Sequence, residues 1–381
     1  MKIAIVSPEF PPDIGGVETY AFEFCRELVR QGHAVTVFTL RHAEGEISLP
    51  GLEIIPGLNF SQDNDLRLFG SCQADIWHVL NAGYAWVALT GRPTVVSIHG
   101  NDFLRTYIPC APFSLERLPL LWRHAVRLRA ALRPLWLRRG QKLLARALPA
   151  ARHILANSRY TEAVFLERFP ACHGKTSVAY VGVSERFFSV PRAAPGSGPT
   201  RLLSVCRLSE PRKNIGLVLA ALGRLKDRFE FEYVVAGDGH LRGELERQAE
   251  NLGLRGRVRF TGRVSDAELM ALYGAADLFV LAASIVPGSH EGFGIVYLEA
   301  AASGVPSLAA RLAGAAEAVG EGESGFFVEA PSEHAIAEAL ERFLSAGIHF
   351  DSERCRAFAR RFTWSGVVAT ACAAYRVALA R

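Results

Sequence analysis

KIAIVSPEFPPDIGGVETYAFEFCRELVRQGHAVTVFTL, residues 2–40, opens as a strand and closes as one. KIAIVS (2–7) and HAVTVFTL (33–40) are short apolar, β-branched runs of strand length. Between them VETYAFEFCRELVRQG (17–32) repeats its apolar residues at helical spacing and stops on Gly32. A strand, a crossover helix and a second strand make a parallel pair. Strands this uniformly apolar need helices on both faces of their sheet.

The same alternation runs on from there. ADIWHVL (74–80), TVVSIHG (94–100), HILANS (153–158) and TSVAYVG (176–182) read as further buried strands. SVPRAAPGSGPT (189–200), dense in Pro, Gly, Ser and Ala, reads as a linker. The pattern then restarts with RLLSVCRL (201–208), FEYVVAGDG (231–239), a run over 258–262, ADLFVLAAS (276–284) and VPSLAAR (305–311). A chain of 381 residues has room for two domains. The expected class is α/β: two Rossmann-like, doubly wound parallel-sheet domains at 1–188 and 201–362, facing across a cleft and joined by the linker. A helix over 363–381 is left without a strand partner.

Composition narrows the function. Half the residues are hydrophobic and about a fifth charged, as in a folded globular protein. The opening MKIAIVSPEF meets Pro8 and Glu9 before a signal-peptide core forms, and no apolar run reaches membrane-spanning length, so a cytoplasmic location is expected. Seven scattered cysteines without a C-x-x-C pair suggest neither a disulfide framework nor a zinc site.

The net charge of +5 hides an asymmetry: ten Lys or Arg and no acid lie between Arg117 and Arg152, leaving −5 for the rest. From Leu120 to Leu148 the pattern is helical, and Pro134 is expected to split it in two. Leu121, Ala125, Leu128 and Leu132 share a face of the first piece; Trp136, Leu143 and Ala147 share one of the second, opposite Arg138, Lys142 and Arg146. An apolar stripe against a cationic face suits an anionic membrane surface, and segment 117–152 is expected to lie on one. No aromatic-rich basic module accompanies it, so nucleic acid is not an expected partner.

Four short stretches carry the chemistry. Gly15 and Gly16, in the loop before helix one, let backbone approach an anion, but the loop is neither G-x-G-x-x-G nor a Walker loop. In CRLSEPRKN (206–214), Arg207 closes a strand and Arg212 and Lys213 follow Pro211, a cationic setting for a diphosphate. In SHEGFGIVYLEAAASGVP (289–306), Glu291 precedes Gly292, Phe293 and Gly294, and Glu299 follows eight residues on in a helix. Eight helical residues rise about 12 Å, beyond the roughly 5–9.5 Å of hydrolytic carboxylate pairs. These acids therefore suit the two ends of an extended ligand, one a sugar and one a ribose. In HGND (99–102), His99 is placed to donate to a sugar hydroxyl, with Asn101 and Asp102 on the acceptor side. His33 and His78 read as structural. No metal-ligand cluster and no D-x-D stands out, so protein cations and helix ends must neutralise a departing diphosphate, with no metal and no cofactor.

GGVE (15–18), HGND, ANSRYT (156–161), VGV followed by Phe187, RLSEPRKN (207–214), GDG (237–239) and the E-x7-E of Glu291 and Glu299 come in the order seen in glycosyltransferase family 4. The chain resembles that family over nearly its whole length, and in particular bacterial lipopolysaccharide and O-antigen mannosyl- or rhamnosyltransferases. The resemblance implies the GT-B fold, with a final helix crossing back to the first domain. It implies a retaining, metal-independent transferase moving a sugar from a nucleotide diphosphate, of GDP-mannose or GDP-rhamnose type, to a lipid-linked or saccharide acceptor at the inner face of the membrane. By motif, Arg207 and Lys213 would bind the diphosphate, Glu299 the ribose, and Glu291 with the following amides the donor sugar. Gly16 would approach the phosphates, and His99 the sugar. Two departures stand near the donor: Ala313 replaces the first of a glycine pair, and LAASIVPGSHEG (281–292) lacks the usual Pro-Ser after its strand. A nucleotide-sugar epimerase on the same architecture and a non-enzymatic nucleotide- or lipid-binding module are the alternatives.

Overall fold

Apolar five-residue runs separated by amphipathic helices do fold as two parallel sheets. The computed structural model describes residues 1–12, 15–40, 49–70, 72–104, 126–193 and 198–380; the side chains of 126–133 and 136 lie outside the description. The chain divides into one unit of Met1–Val181 with Trp364–Arg381, and a second of Gly182–Thr363.

The strands of the first unit are β1 (Lys2–Val6), β2 (Ala34–Thr39), β3 (Leu52–Pro56), β4 (Ile76–Val79), β5 (Thr94–Ile98), β6 (His153–Ala156) and β7 (Thr176–Val178). They lie parallel in the order β3-β2-β1-β4-β5-β6-β7. Its helices are α1 (Gly16–Arg30), α2 (Gln62–Phe69), α3 (Val126–Ala150), α4 (Arg159–Arg168) and, from the end of the chain, α12 (Trp364–Ala380). The orphan helix of the sequence finds its place here: α12 packs on α1 and across β4, β5 and β6.

The second unit holds β8 (Thr200–Val205), β9 (Phe231–Ala236), β10 (Val258–Gly262), β11 (Leu278–Leu281), β12 (Ser307–Ala310) and β13 (Gly325–Val328), parallel in the order β10-β9-β8-β11-β12-β13. Its helices are α5 (Ile215–Leu225), α6 (Arg242–Asn251), α7 (Asp266–Ala275), α8 (Ile295–Ala302), α9 (Ala315–Ala318), α10 (Glu333–Leu344) and α11 (Ser352–Ala359). In both sheets the strand order reverses once, between β1 and β4 and between β8 and β11. Beyond the carboxyl ends of such strands, ligands of doubly wound sheets bind.

Four expectations differ from the structure. The chain enters the second unit at Gly182 rather than after 188, because Phe187 is buried there with its ring 5.7 Å from that of Tyr273. The expected linker is partly bound as well: Val190 is buried, and Ala193 N–H donates to the Gly274 carbonyl at 3.0 Å. Residues 194–197 of it lie outside the described residues.

Pro134 does not split the basic helix. α3 runs through it, forgoing the one amide that proline lacks. The stretch from Leu120 to Ala125, with Leu121, lies outside the described residues, as do the side chains of Leu128, Leu132 and Trp136.

Leu143 and Ala147, the described residues of the second piece's apolar stripe, face the protein's own core rather than lipid. Leu144, Ala147 and Leu148 are buried in the core and Leu143 packs against it, whereas Arg138, Lys142 and Arg146 are exposed. Packing in the core, chiefly against the 3-10 turn Ala82–Thr90, takes up Leu143 and Ala147 of that stripe.

Candidate active site

In the second unit the strand-order reversal brings two loops together. Arg207 is exposed just past β8, and a 3-10 turn, Pro211–Lys213, follows it. Proline at the head of that turn fixes its entry, and Asn214 at its end takes a left-handed conformation, φ +58°, which starts α5. The loop after β11 is tied to this turn. Ser284 N–H donates to the Arg212 carbonyl at 2.8 Å, and Asn214 Nδ2 donates to Ser284 Oγ and to the Ala282 carbonyl, both at 2.7 Å. Ser284, within the stretch that lacks the family's Pro-Ser, is thus part of the tie.

Across this junction Lys213 Nζ lies 2.6 Å from Glu291 Oε2, and Arg212 Nη1 lies 3.1 Å from the same oxygen. Arg212 also pairs with Glu210 at 2.5 Å. All three members of the Glu291 cluster are largely buried. Burial alone would raise the Glu291 carboxyl, but Lys213 and Arg212 outweigh it and hold it at about 2. Glu291 is not on the helix; it sits in the loop ahead of Gly294, whose left-handed φ of +92° begins α8. Phe293 turns its side chain into the core, 5.6 Å from the Phe362 ring.

Glu299 lies within α8, only 7% exposed. Burial pushes its carboxyl up to about 7, although Tyr273 Oη donates to Oε2 at 3.0 Å. The two acids of the E-x7-E thus differ: one is pinned as an anion by two cations, and the other is balanced near neutrality.

The first unit holds its own group at the β1/β4 reversal. Asn81 Nδ2 donates to both carboxylate oxygens of Glu9, at 3.0 and 3.2 Å. Burial, then Glu18 and Asp102, raise Glu9 to about 7. Past β5, Asp102 accepts from the His99 amide at 3.0 Å and the Ala82 amide at 2.9 Å, so it staples two loops rather than offering a free carboxylate. Burial raises Asp102 to about 6 and lowers His99 to about 4, which makes His99 a neutral imidazole at pH 7. Its ring stands edge-on to Tyr20 at 4.5 Å, and its Nε2 is buried without a hydrogen-bond partner among the described residues. Asn101 is half-buried beside it. Gly15 caps α1, Gly16 is its first, exposed residue, and residues 13 and 14 ahead of them lie outside the described residues. His78 is structural, bonded to Tyr375 Oη at 2.7 Å and Ser97 Oγ at 2.8 Å.

Two parts of this geometry escape sequence reasoning. Glu9 and Asn81 were findable, since each follows a strand flanking the reversal. Tyr273 carries no local signal, because only packing brings α7 beside α8.

Comparison with known proteins places this geometry. The pattern described as Glycosyltransferase Family 4 matches residues 14–187, and that described as Glycosyl transferases group 1 matches residues 188–362. The chain belongs to this glycosyltransferase family. It is an enzyme of the transferase class. The family 4 chain is 26% identical to the D-inositol 3-phosphate glycosyltransferase of Corynebacterium glutamicum, over 100% of this chain and 97% of that one. It is 27% identical to the GDP-mannose-dependent alpha-(1-6)-phosphatidylinositol monomannoside mannosyltransferase of Mycolicibacterium smegmatis, over 90% and 88%. Among solved structures, a sucrose-phosphate synthase from Thermosynechococcus elongatus superposes with a TM-score of 0.76 at 18% identity, covering 98% of each chain. The fold is GT-B.

Proposed function

We propose that this glycosyltransferase takes a nucleotide-diphosphate sugar on its second unit and transfers the sugar, with retention, to a hydroxyl of an acceptor held by the first. The observation that carries it is the pairing of Lys213 and Arg212 with Glu291, eight residues ahead of the buried Glu299. Lys213 and Arg207 supply positive charge for the diphosphate, and the amides opening α8 add to it. Glu291 and the amides after it hold the sugar, Glu299 accepts from the ribose hydroxyls, and His99 Nε2, without a partner among the described residues, suits a sugar hydroxyl.

A carboxylate held at about 2 by two cations is a poor nucleophile, which favours a front-side route. The bond from the anomeric carbon to the phosphate oxygen breaks, and the acceptor oxygen bonds to that carbon on the same face. The acceptor's proton passes to the departing phosphate. Cations of the chain serve the leaving group without a metal, so EDTA is expected to leave the rate unchanged. The name of the mycobacterial relative favours GDP-mannose as the donor to try first, with a GDP-rhamnose type beside it. Melting curves against UDP- and GDP-sugars test this: at 100 times its dissociation constant a true donor adds about 2.7 kcal/mol. If none raises the melting temperature, the donor reading fails.

Membrane attachment, at the inner face of the cell membrane with a lipid-linked acceptor, rests on charge alone. No described helix is long and apolar enough to cross a membrane. Arg138, Arg139, Lys142 and Arg146 are exposed along α3, beside the exposed Leu135. Each cation near an anionic surface contributes about 1 kcal/mol. Co-sedimentation is expected with anionic but not neutral liposomes, and to be lost when Arg138, Lys142 and Arg146 become Gln together; equal binding to both lipids would sink the idea.

A further inference from the structure

The pair formed by Glu299 and Tyr273 has a property beyond that reading. α7 brings Tyr273, fully buried, beside α8, so that its hydroxyl lies 3.0 Å from Glu299 Oε2 and 3.3 Å from the Val296 carbonyl oxygen. One hydroxyl has one proton to give. When Glu299 is ionised, that proton goes to the carboxylate, the stronger acceptor. When Glu299 is protonated, its own Oε2–H can donate to Tyr273 Oη, and the tyrosine proton turns to Val296. Oε2 is therefore satisfied in the same place in both states. The Phe187 ring stands edge-on to Tyr273 at 5.7 Å and the Phe279 ring lies 6.1 Å away, so the phenol is fixed in its slot. Glu299 Oε1 takes no partner among the described residues and is not among their closed-off polar atoms.

We propose that Tyr273 is the positioning residue for Glu299: it pins Oε2 whether or not the acid carries a proton, and so presents Oε1 to the ribose diol of the donor. This rests on the ribose reading of Glu299 given above. Besides Tyr273, the charged groups that bear on the carboxyl are Arg186, from the 3-10 turn Glu185–Ser189, and Asp266 at the head of α7, which pair with each other. α9, α11 and β12, which also pack on α8, bring none that shifts it. Because burial lifts the acid to about 7, both forms coexist near neutral pH. The ionised form is the better acceptor for two hydroxyls, so donor binding weakens as pH falls through that value.

The test is calorimetric titration of UDP-glucose and GDP-mannose, with their 3′-deoxyribose analogues, between about pH 5.5 and 8.5. Neither diphosphate titrates in that window, so the pH dependence belongs to the protein, and the variants below separate Glu299 from Glu9 and Asp102, which also titrate there. Wild type is expected to prefer the intact ribose and to lose up to about tenfold in affinity per pH unit on the acid side. Tyr273→Phe is expected to bind the intact donor about tenfold more weakly at pH 8. Its midpoint should move to higher pH, since the hydroxyl that helped hold the charge is gone. It should bind the deoxy analogue as wild type does, with kcat at saturating donor within about threefold. Glu299→Asp, which draws the carboxylate away from Tyr273 without touching the buried ring, should show the same loss. A wild type indifferent to the ribose change overturns the ribose reading and this proposal with it. A wild type that discriminates, beside Tyr273→Phe and Glu299→Asp variants with unchanged affinity and midpoint, overturns the positioning role alone.

Discussion

Lys213 and Arg212 reach one oxygen of one carboxylate, and that sharing sets what each substitution does. Lys213→Ala removes a cation from the proposed leaving-group side while Arg212 still neutralises Glu291. Turnover is expected to fall by about a hundredfold or more with little change in melting temperature, as one lost electrostatic partner usually does. Wild-type turnover in this variant would remove Lys213 from the site.

Glu299 gives the opposite kind of effect. Its carboxyl is raised above its unfolded value, so the folded protein gains stability as pH falls from about 7 toward the ordinary carboxylate range, and ionisation above 7 weighs against the fold. Glu299→Gln cannot ionise. It is expected to melt higher than wild type at pH 8, by a margin that shrinks steadily toward pH 5. A margin independent of pH between those limits would show that Glu299 keeps an ordinary proton affinity.

At the scale of elements, the turn from β12 into α9 explains one departure from the family and exposes a weak point. Ala313 has φ +52°, a left-handed conformation that disfavours any side chain. Glycine belongs there by geometry, and Ala313→Gly is expected to stabilise the fold by up to about 1 kcal/mol in urea unfolding. Gly314 cannot be exchanged in return. A Cβ on it would come within 2.1 Å of the Gly292 carbonyl oxygen, and its amide donates to the Glu291 carbonyl at 3.0 Å. Gly314→Ala is therefore expected to push the Glu291 loop aside and abolish transfer; a variant with normal turnover would mean that the loop tolerates the shift.

The same scale shows what the sequence made legible. Long apolar runs such as KIAIVS and FEYVVAGDG stood out because central strands are buried on both faces. LEIIP of β3 and GFFV of β13 were missed: β3 is a part-exposed edge strand without a buried apolar run, and β13, though buried throughout, is only four residues long and lacks flanking apolar residues. Glu291 and Glu299 were readable because two acids amid small apolar residues are anomalous. The partners that give them different proton affinities were not, since Lys213, Arg212 and Tyr273 meet them only through folding. Pro134 misled for a related reason: a helix whose far half packs into the core, chiefly against the 3-10 turn Ala82–Thr90, tolerates one missing amide.

For the whole molecule, the decisive feature is the return of α12 to the first unit. Tyr375 on that helix bonds His78, which is fully buried in β4 and bonded on its other side to Ser97 of β5. Tyr375→Phe leaves one imidazole nitrogen without a partner in the core, at an expected loss of about 1–3 kcal/mol. Urea unfolding followed by probes in each unit measures it: the first unit's transition should move to lower urea while the second's stays. An unchanged first transition would mean that α12 is held by its apolar face alone.

That return also sets a timetable on the ribosome. Residues 1–181 emerge first, yet the helix that covers β4, β5 and β6 follows only after the 182 residues of the contiguous second unit. At about 5–20 residues per second, the nascent first unit waits on the order of 10–40 s with that face bare. The second unit needs no such wait, so the portion made later is the one free to finish folding earlier. During synthesis, it is the uncovered β4–β6 face that a chaperone would meet.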